Sequence, residues 1–136
     1  MANALYTLGK EKILSAGINF STDTLKVRLA KNTYAQNLTT DEFITSVTRV
    51  TGTTDQTLGS KTITGGAFDA ADVTFTAVPA GETSEGVVIY KDTGTAATSP
   101  VIAYIDTITG FPLATNGGDI TIQWDNGTYK IFSLVP

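Results

Sequence analysis

The stretch "GVVIYKDTGT", residues 86–95, joins an uninterrupted apolar run to a polar turn. An apolar run of this length is typical of a strand that is covered on both faces. Asp92 can accept a hydrogen bond from the backbone that follows it, and Gly94 can adopt a positive φ angle. The stretch therefore predicts a central β-strand that ends at Lys91, with a turn at Asp92–Gly94.

Asp-Thr-Gly after an apolar strand is also how aspartic proteases place a catalytic carboxylate. Such a site needs two carboxylates that share one proton, which a dimer of a small chain could supply. The residue before the aspartate would lie in the core beneath the pair, and here it is Lys91. An unpaired charge is costly to bury there. We therefore expect Asp92 to be a turn residue without a catalytic function.

Alternating apolar and polar residues predict further strands. In "TLKVRLA", residues 24–30, the apolar side chains of Leu25, Val27 and Leu29 face one way. Lys26 and Arg28 face the other way, which we expect to be the outward face of the strand. The segment 51–60 is polar and contains glycines, so it predicts a loop. Strands are also expected at 47–50, 61–64, 72–78, 100–106, 119–124 and 129–134, and a turn is expected at 79–85.

Asn126-Gly127 is the strongest local turn signal in the chain. Both residues of a type I′ turn need positive φ, and Asn-Gly is the preferred pair for it. A two-residue turn fixes the register of the strands on either side. We therefore expect a C-terminal hairpin in which Trp124 opposes Tyr129 and Ile122 opposes Ile131.

Two short helices are expected near the N-terminus. Residues 3–16 contain no proline, and Asn3 can cap them. Thr39 and Glu42 have the spacing of a capping box, which predicts a second helix at about 40–46.

These elements predict a mainly β fold, an antiparallel β-sandwich or flattened barrel with one or two short N-terminal helices. The length of 136 residues favours a single domain. Residues 1–46 would hold the short helices and a first strand, and residues 47–136 would form the β core.

The chain has no cysteine and no histidine. It therefore lacks disulfides, thiolate chemistry, the commonest general base and the commonest metal ligand. Two turns rich in oxygen ligands, "DAADV" at 69–73 and "NGGD" at 116–119, lack the alternating spacing of a calcium loop. We predict a non-enzymatic protein without cofactor or metal. An enzyme that uses only carboxylates is the distant alternative.

The charge and hydropathy patterns also limit the partners. The net charge of −4 disfavours nucleic acid, and no apolar run approaches the length of a membrane span. The start "MANALYTLGK" lacks the pattern of a signal peptide, so we expect synthesis and retention in a cytoplasm.

Six stretches carry a resemblance to a known family. They are "MANALY" with Gly9, Leu14 and Gly17, then "LKVRLA", "DAADVTFTAV", "VIYKDTGT", "SPVIAYIDT" and "NGGDITIQWDNGTYKIF". Over nearly its full length the chain resembles small virion structural proteins of tailed bacteriophages. The last three stretches together are the most specific, and the segments 31–38 and 51–60 match least well.

The resemblance implies a component of the phage particle, above all a capsid decoration (cement) protein on the capsid surface. Its partners would be the major capsid protein and copies of itself. The protein would then be made in the host cytoplasm and end in the virion. The alternative is a tail- or fibre-associated structural or carbohydrate-binding β module, in which Trp124 and Tyr129 could contact the sugar.

A docking surface is predicted from the charge distribution. Residues 1–31 carry a net charge of +3, and the remaining residues carry −7. A basic end would speed encounter with acidic patches on capsid subunits and set the orientation, although these groups could also be merely solvated. The predicted capsid-docking residues are Lys10, Lys12, Lys26 and Arg28.

Overall fold

The computed structural model describes residues 4–108, 110–124 and 130–133. Within these ranges the protein is mainly β and antiparallel, with one α-helix near the N-terminus, which confirms the predicted fold class. The helix α1 spans Thr7–Leu14. The strands are β1 (Ala4–Leu5), β2 (Leu25–Lys31), β3 (Gln56–Thr57), β4 (Thr62–Thr64), β5 (Ala67–Asp69), β6 (Val73–Phe75), β7 (Thr83–Lys91), β8 (Val101–Ile105), β9 (Leu113–Ala114), β10 (Ile120–Ile122) and β11 (Phe132–Ser133).

The strands form two layers. The main sheet has the order β1-β8-β7-β2-β3, and β9 pairs with the start of β7. The second layer contains the pair β6–β10 and the three-stranded sheet β4-β5-β11. The central pairing joins distant parts of the chain, with Val27 opposite Ile89. Apolar side chains from both layers pack into a large core, so the layers lie face to face.

Strand β7 is covered on both faces, as its apolar run predicts. Val87 and Ile89 belong to the large core between the layers. Val88 and Tyr90 point to the opposite face, where they belong to a second, smaller core. Because successive side chains of a strand alternate between faces, a run without polar interruptions requires cover on both.

The cover of the second face is the segment 34–50, which follows β2. Tyr34, Ile44 and Val47 of this segment pack into the smaller core. We call it the covering segment. It makes the main sheet the middle layer of the molecule at this point.

The helix predicted at 40–46 is wrong. A single turn forms earlier than predicted: the side-chain oxygen of Asn37 accepts from the amides of Thr39 and Thr40, and the carbonyl of Asn37 accepts from the amide of Asp41. Phe43 then forms an isolated antiparallel bridge with Pro100. Only Ile44–Ser46 is helical, as a single 3₁₀ turn.

Three further expectations from the sequence need correction. The strand predicted at 47–50 is reduced to an isolated bridge between Arg49 and Ala30. The loop predicted at 51–60 contains the short strand β3. The turn predicted at 79–85 already belongs in part to β7, which begins at Thr83.

The first predicted helix is present but shorter. Asn3, its expected cap, lies outside the described residues, and the residue at the cap position is Tyr6. The helix lies directly on β8 at Gly9, where a β-carbon would come within 2.5 Å of the carbonyl oxygen of Val101. Glycine is therefore required at this position by close packing, although it lowers helix propensity.

The C-terminal strands do not pair as predicted. Ile122 is opposite Val73 in the pair β6–β10, and the amide of Ile131 donates to the carbonyl of Phe68. The two strands thus belong to different sheets, so the register Ile122–Ile131 is wrong. The Asn126-Gly127 turn and Tyr129 lie outside the described residues.

Candidate functional site

Three of the four predicted docking residues are partly exposed or exposed. Lys10 is exposed on α1. Lys12 pairs with Glu42 at 3.1 Å and lies 5.6 Å from the ring centre of Phe43. Lys26 pairs with Asp92 at 3.0 Å. Both paired lysines therefore have much of their charge neutralised locally, while Lys10 has no acidic partner within ion-pair distance in the part of the chain described.

Arg28 is buried, so its predicted outward position is wrong. Only 9% of the residue is exposed, because the covering segment lies over that face of β2. Its guanidinium donates to both carboxylate oxygens of Asp55, and Nη1 donates to the carbonyls of Ile44 and Val47, each at 3.0 Å. Arg28 thereby fastens the covering segment to the main sheet.

Asp55 is the centre of a buried charge cluster. Its side chain is 5% exposed, and it accepts hydrogen bonds from Arg28, from Nε and Nη2 of Arg49, and from the hydroxyl of Tyr90. We call these four residues the Asp55 cluster. Two guanidinium groups on one carboxylate leave a local excess of positive charge, and Arg49 presents it to solvent because it is the most exposed member.

The ionisation of Asp55 depends on these partners. Burial alone would raise the pKa of this carboxyl, since it disfavours the charged form. Hydrogen bonds from Arg49, Arg28 and Tyr90 outweigh the burial and hold the pKa below the usual value for aspartate. Asp55 is therefore a carboxylate at neutral pH, and the cluster is a structural ion network.

A polar pocket of about 270 Å³ opens beside the Asp55 cluster. The four cluster residues form part of its wall, and the pair Lys26–Asp92 forms another part. Gly94 and Ala96 from the turn after β7 leave room at the entrance. The predicted docking residues Lys26 and Arg28 thus lie together at one pocket. Lys12 contacts Glu42 and Phe43, close in the chain to Ile44 of the same pocket wall.

A series of hydrogen-bonded tyrosine and aspartate side chains, which we call the tyrosine chain, runs through the smaller core. The hydroxyls of Tyr6 and Tyr34 are 2.6 Å apart, and Tyr34 donates to Asp41 at 2.6 Å. Asp41 also accepts from the amide of Asn37. The tyrosine chain connects the start of α1 to the covering segment, so it positions both against the main sheet.

The pH at which the tyrosines ionise should show how well the smaller core excludes water. Burial raises the pKa of Tyr104 to about 12, and burial also raises the pKa values of Tyr6, Tyr34 and Tyr90. Hydrogen bonds to Asp41 and Asp55 raise the pKa values of Tyr34 and Tyr90 further. These four of the five tyrosines stabilise the fold fully below about pH 10, the unfolded value, and that contribution is lost as pH rises toward the folded values. We expect these four tyrosines to ionise in the native protein only well above pH 10, so most of the ultraviolet absorbance of tyrosinate should appear there. Urea-unfolded protein is the control, and coincident titration curves of the two forms would contradict the expectation.

Asp92 occupies a turn, as predicted. Its carboxylate accepts from the amide of Gly94 at 2.9 Å, and Gly94 has φ of 91°. That hydrogen bond and the contact with Lys26 lower the pKa of Asp92. Lys91, the preceding residue, pairs with Asp23 at 3.2 Å and is partly exposed. These contacts give both side chains of the protease-like motif structural partners.

The aspartates of the two acidic turns accept hydrogen bonds from backbone amides of distant segments. Asp72 accepts from the amide of Trp124, and Asp119 accepts from the amide of Ala77. In the described ranges no group of three or more acidic side chains is arranged to hold a metal ion. Nor does any helix there have the length and apolar character needed to cross a membrane.

Sequence reasoning missed Arg49, Asp55 and Tyr90 as parts of the site. One signal was available, because Asp55 is the only charged residue in the otherwise neutral segment 51–60. A lone acid in a neutral loop suggests a buried basic partner, but the partner could not be identified without the sheet order.

A scan against protein-family models finds no model that matches the chain, and a search of curated proteins finds no match.

Proposed function

We propose that this chain is a non-enzymatic structural protein of a tailed-bacteriophage particle. More specifically, it would be a capsid decoration protein that binds the major capsid protein and stabilises the head. The carrying observation is the resemblance of six stretches of the sequence to that family. Three of them, "LKVRLA", "VIYKDTGT" and "SPVIAYIDT", coincide with β2, β7 and β8, which are neighbours in the main sheet. What the family shares would thus be its central scaffold.

The internal construction of the chain supports this proposal. A decoration protein must stay folded on the outside of a particle. Because this chain has no cysteine, noncovalent contacts must keep it folded there. Here the covering segment is fastened by the Asp55 cluster and by the tyrosine chain. These contacts suit a rigid surface component.

The docking surface would include α1 and the rim of the pocket. Lys10 and Lys12 lie on the helix, and Lys26 lies on the pocket wall. Acidic groups of a capsid subunit would meet Lys10 directly and would compete with Glu42 and Asp92 for the other two lysines. Arg28 would act indirectly, because it holds the pocket wall in place.

Rebinding to stripped particles tests the proposal. Particles depleted of the protein would be mixed with purified wild-type chain or with a Lys10→Glu, Lys26→Glu variant at low and high salt. We expect the wild type to rebind, and the variant to rebind about tenfold or more weakly at low salt with a flatter salt dependence, because rim charges mainly affect encounter.

A matched control is Thr121→Glu, which adds negative charge on the exposed side of β10. It should rebind like wild type. Failure of wild type to rebind to heads, with binding to tails instead, would overturn the decoration role. Equal rebinding of the lysine variant at every salt concentration would place the docking surface elsewhere.

The carbohydrate-binding alternative loses part of its support. Trp124 is 5% exposed and belongs to the large core, and its indole N–H donates to the carbonyl of Ala71. A sugar platform requires an exposed aromatic face. The other candidate, Tyr129, lies outside the described residues.

A further inference from the structure

Strand β4 is an exposed edge of the second layer. All three of its residues, Thr62, Ile63 and Thr64, are exposed, and Ile63 is 55% exposed although it is a large apolar residue. On one side β4 pairs with β5, and β5 pairs with β11 on its other side. Among the strands of the described ranges, β4 is the end of that sheet on its outer side.

The hydrogen-bonding groups of Ile63 point away from β5. Gly65 and Gly66 both have positive φ and form a two-residue turn, so Thr64 and Ala67 are the hydrogen-bonded pair that closes it. Pairs alternate along an antiparallel ladder, which makes Ile63 and Phe68 a non-bonded pair. The carbonyl of Phe68 accordingly accepts from Ile131 on the far side. Because Ile63 is in a non-bonded pair with β5 and no described strand lies beyond β4, the amide and carbonyl of Ile63 have no strand partner among the described residues.

The sequence of β4 reads the same in both directions. Thr-Ile-Thr placed antiparallel to itself, with Ile63 opposite Ile63, sets Thr62 opposite Thr64 of the other copy. A two-fold contact requires such self-complementarity. Lys61 would then oppose Gly65, so the nearest charge does not face its own copy.

We propose that β4 pairs with β4 of a second copy of this chain, antiparallel and in register about Ile63. The two Ile63 residues exchange amide–carbonyl hydrogen bonds, and the threonines form cross-strand pairs. Ile63 shares a sheet face with Phe68 of the large core, so the paired isoleucines extend that core across the contact. The inference concerns the free protein and does not depend on the proposed function.

The contact is small. A three-residue strand buries far less than the roughly 1,600 Å² of a standard interface, so we expect a weak dimer that forms at high protein concentration. Copies held close together on any larger assembly would pair more completely.

Disulfide trapping tests the contact and its register, because the chain has no cysteine of its own. Thr62→Cys and Thr64→Cys variants would be oxidised separately and as an equal mixture. The proposed register places residue 62 of one copy directly opposite residue 64 of the other, in a non-hydrogen-bonded pair with Cα atoms about 4.5 Å apart, within disulfide range. Ile63→Cys should also cross-link to itself, at about 5.5 Å. Leu14→Cys, at the other exposed large apolar residue of the described ranges, is the control.

We expect the mixture to give the 62–64 heterodimer several-fold above either homodimer, and Ile63→Cys to dimerise several-fold faster than Leu14→Cys. Sedimentation of the cysteine-free chain should show a dimer that Ile63→Lys removes, with an unchanged circular dichroism spectrum. Random cross-linking of an equal mixture already gives twice as much heterodimer as either homodimer, so a heterodimer yield at or below twice that of each homodimer would overturn the register. Cross-linking at the Leu14→Cys level, or a dimer unaffected by Ile63→Lys, would overturn the contact itself.

Discussion

Replacing Asp55 with alanine should lower the free energy of unfolding by about 3–5 kcal/mol, the usual cost of removing one partner from a buried ion pair. Stability is lost because the partners of Asp55 would stay buried without their carboxylate. Arg28 is 9% exposed and would keep its charge without a carboxylate, and Tyr90 would lose its acceptor. Of the contacts that the cluster makes with the covering segment, the hydrogen bonds from Arg28 to the carbonyls of Ile44 and Val47 would remain, and those between Asp55 and Arg49 would be lost. Urea denaturation at neutral pH measures the effect.

Asp92→Ala is the matched control for this prediction. Its pair with Lys26 also lies at the pocket, but the Asp92 side chain is 25% exposed. Exposed pairs contribute at most about 1 kcal/mol, so this variant should be nearly as stable as wild type. Similar losses for the two variants would show that the Asp55 cluster is not specially buried.

The same cluster should make stability depend on acid. The folded pKa of Asp55 is lowered, so its contribution is present above about pH 4, the unfolded value, and is lost as pH falls through the folded value. Asp55→Asn removes this titration. Its stability should therefore fall less steeply on acidification than that of wild type, and the two curves should approach each other at the lowest pH.

Gly9→Ala should destabilise the protein by about 1–3 kcal/mol, although alanine favours helices more than glycine does. The added β-carbon would lie 2.5 Å from the carbonyl oxygen of Val101 and 3.2 Å from the α-carbon of Ile102. Both are backbone atoms of the main sheet, so α1 itself would have to move away from β8. The measurement is again urea denaturation, supported by thermal melting.

Gly59→Ala is the control for the helix glycine. Nothing lies within 4 Å of a β-carbon built at Gly59, and its φ is not in the left-handed region. This variant should be unchanged or slightly more stable, because alanine restricts the unfolded chain. If Gly9→Ala were stabilising instead, helix propensity would outweigh the contact with β8, and the described packing would be wrong.

Local sequence patterns predicted the two central strands because the signal for each strand lies within its own residues. The alternation of residues 24–30 and the apolar run of 86–91 are visible in sequence, and both became long strands, β2 and β7. The helix expected at 40–46 is absent because the turn that begins at Asn37 ends before Phe43, which is extended and pairs with Pro100 far along the chain. Such a distant partner leaves no local trace.

The burial of Arg28 could be predicted from the sequence only in combination with the order of the strands. Alternation places Arg28 on the face of β2 opposite to Val27, and it does not tell whether that face is covered. The apolar run of β7 predicts cover on both faces, and a strand paired with β7 shares that cover. The arginine could have been expected to be buried only once β2 and β7 were known to be neighbours. The Asp55 cluster could be predicted only with the same knowledge, because its residues come from β2, β7, the covering segment and the loop before β3.

The pairing of β2 with β7 also determines when the chain can fold during synthesis. Val27 leaves the ribosome long before its partner Ile89 is made, and β8 follows later still. At about 5–20 residues per second, the first long strand waits several seconds with its apolar face open. Folding of the main sheet must therefore wait until β7 and β8 have been made. Until then the apolar face of "TLKVRLA" has no partner strand, and shortening the chain before residue 91 should leave a product that aggregates.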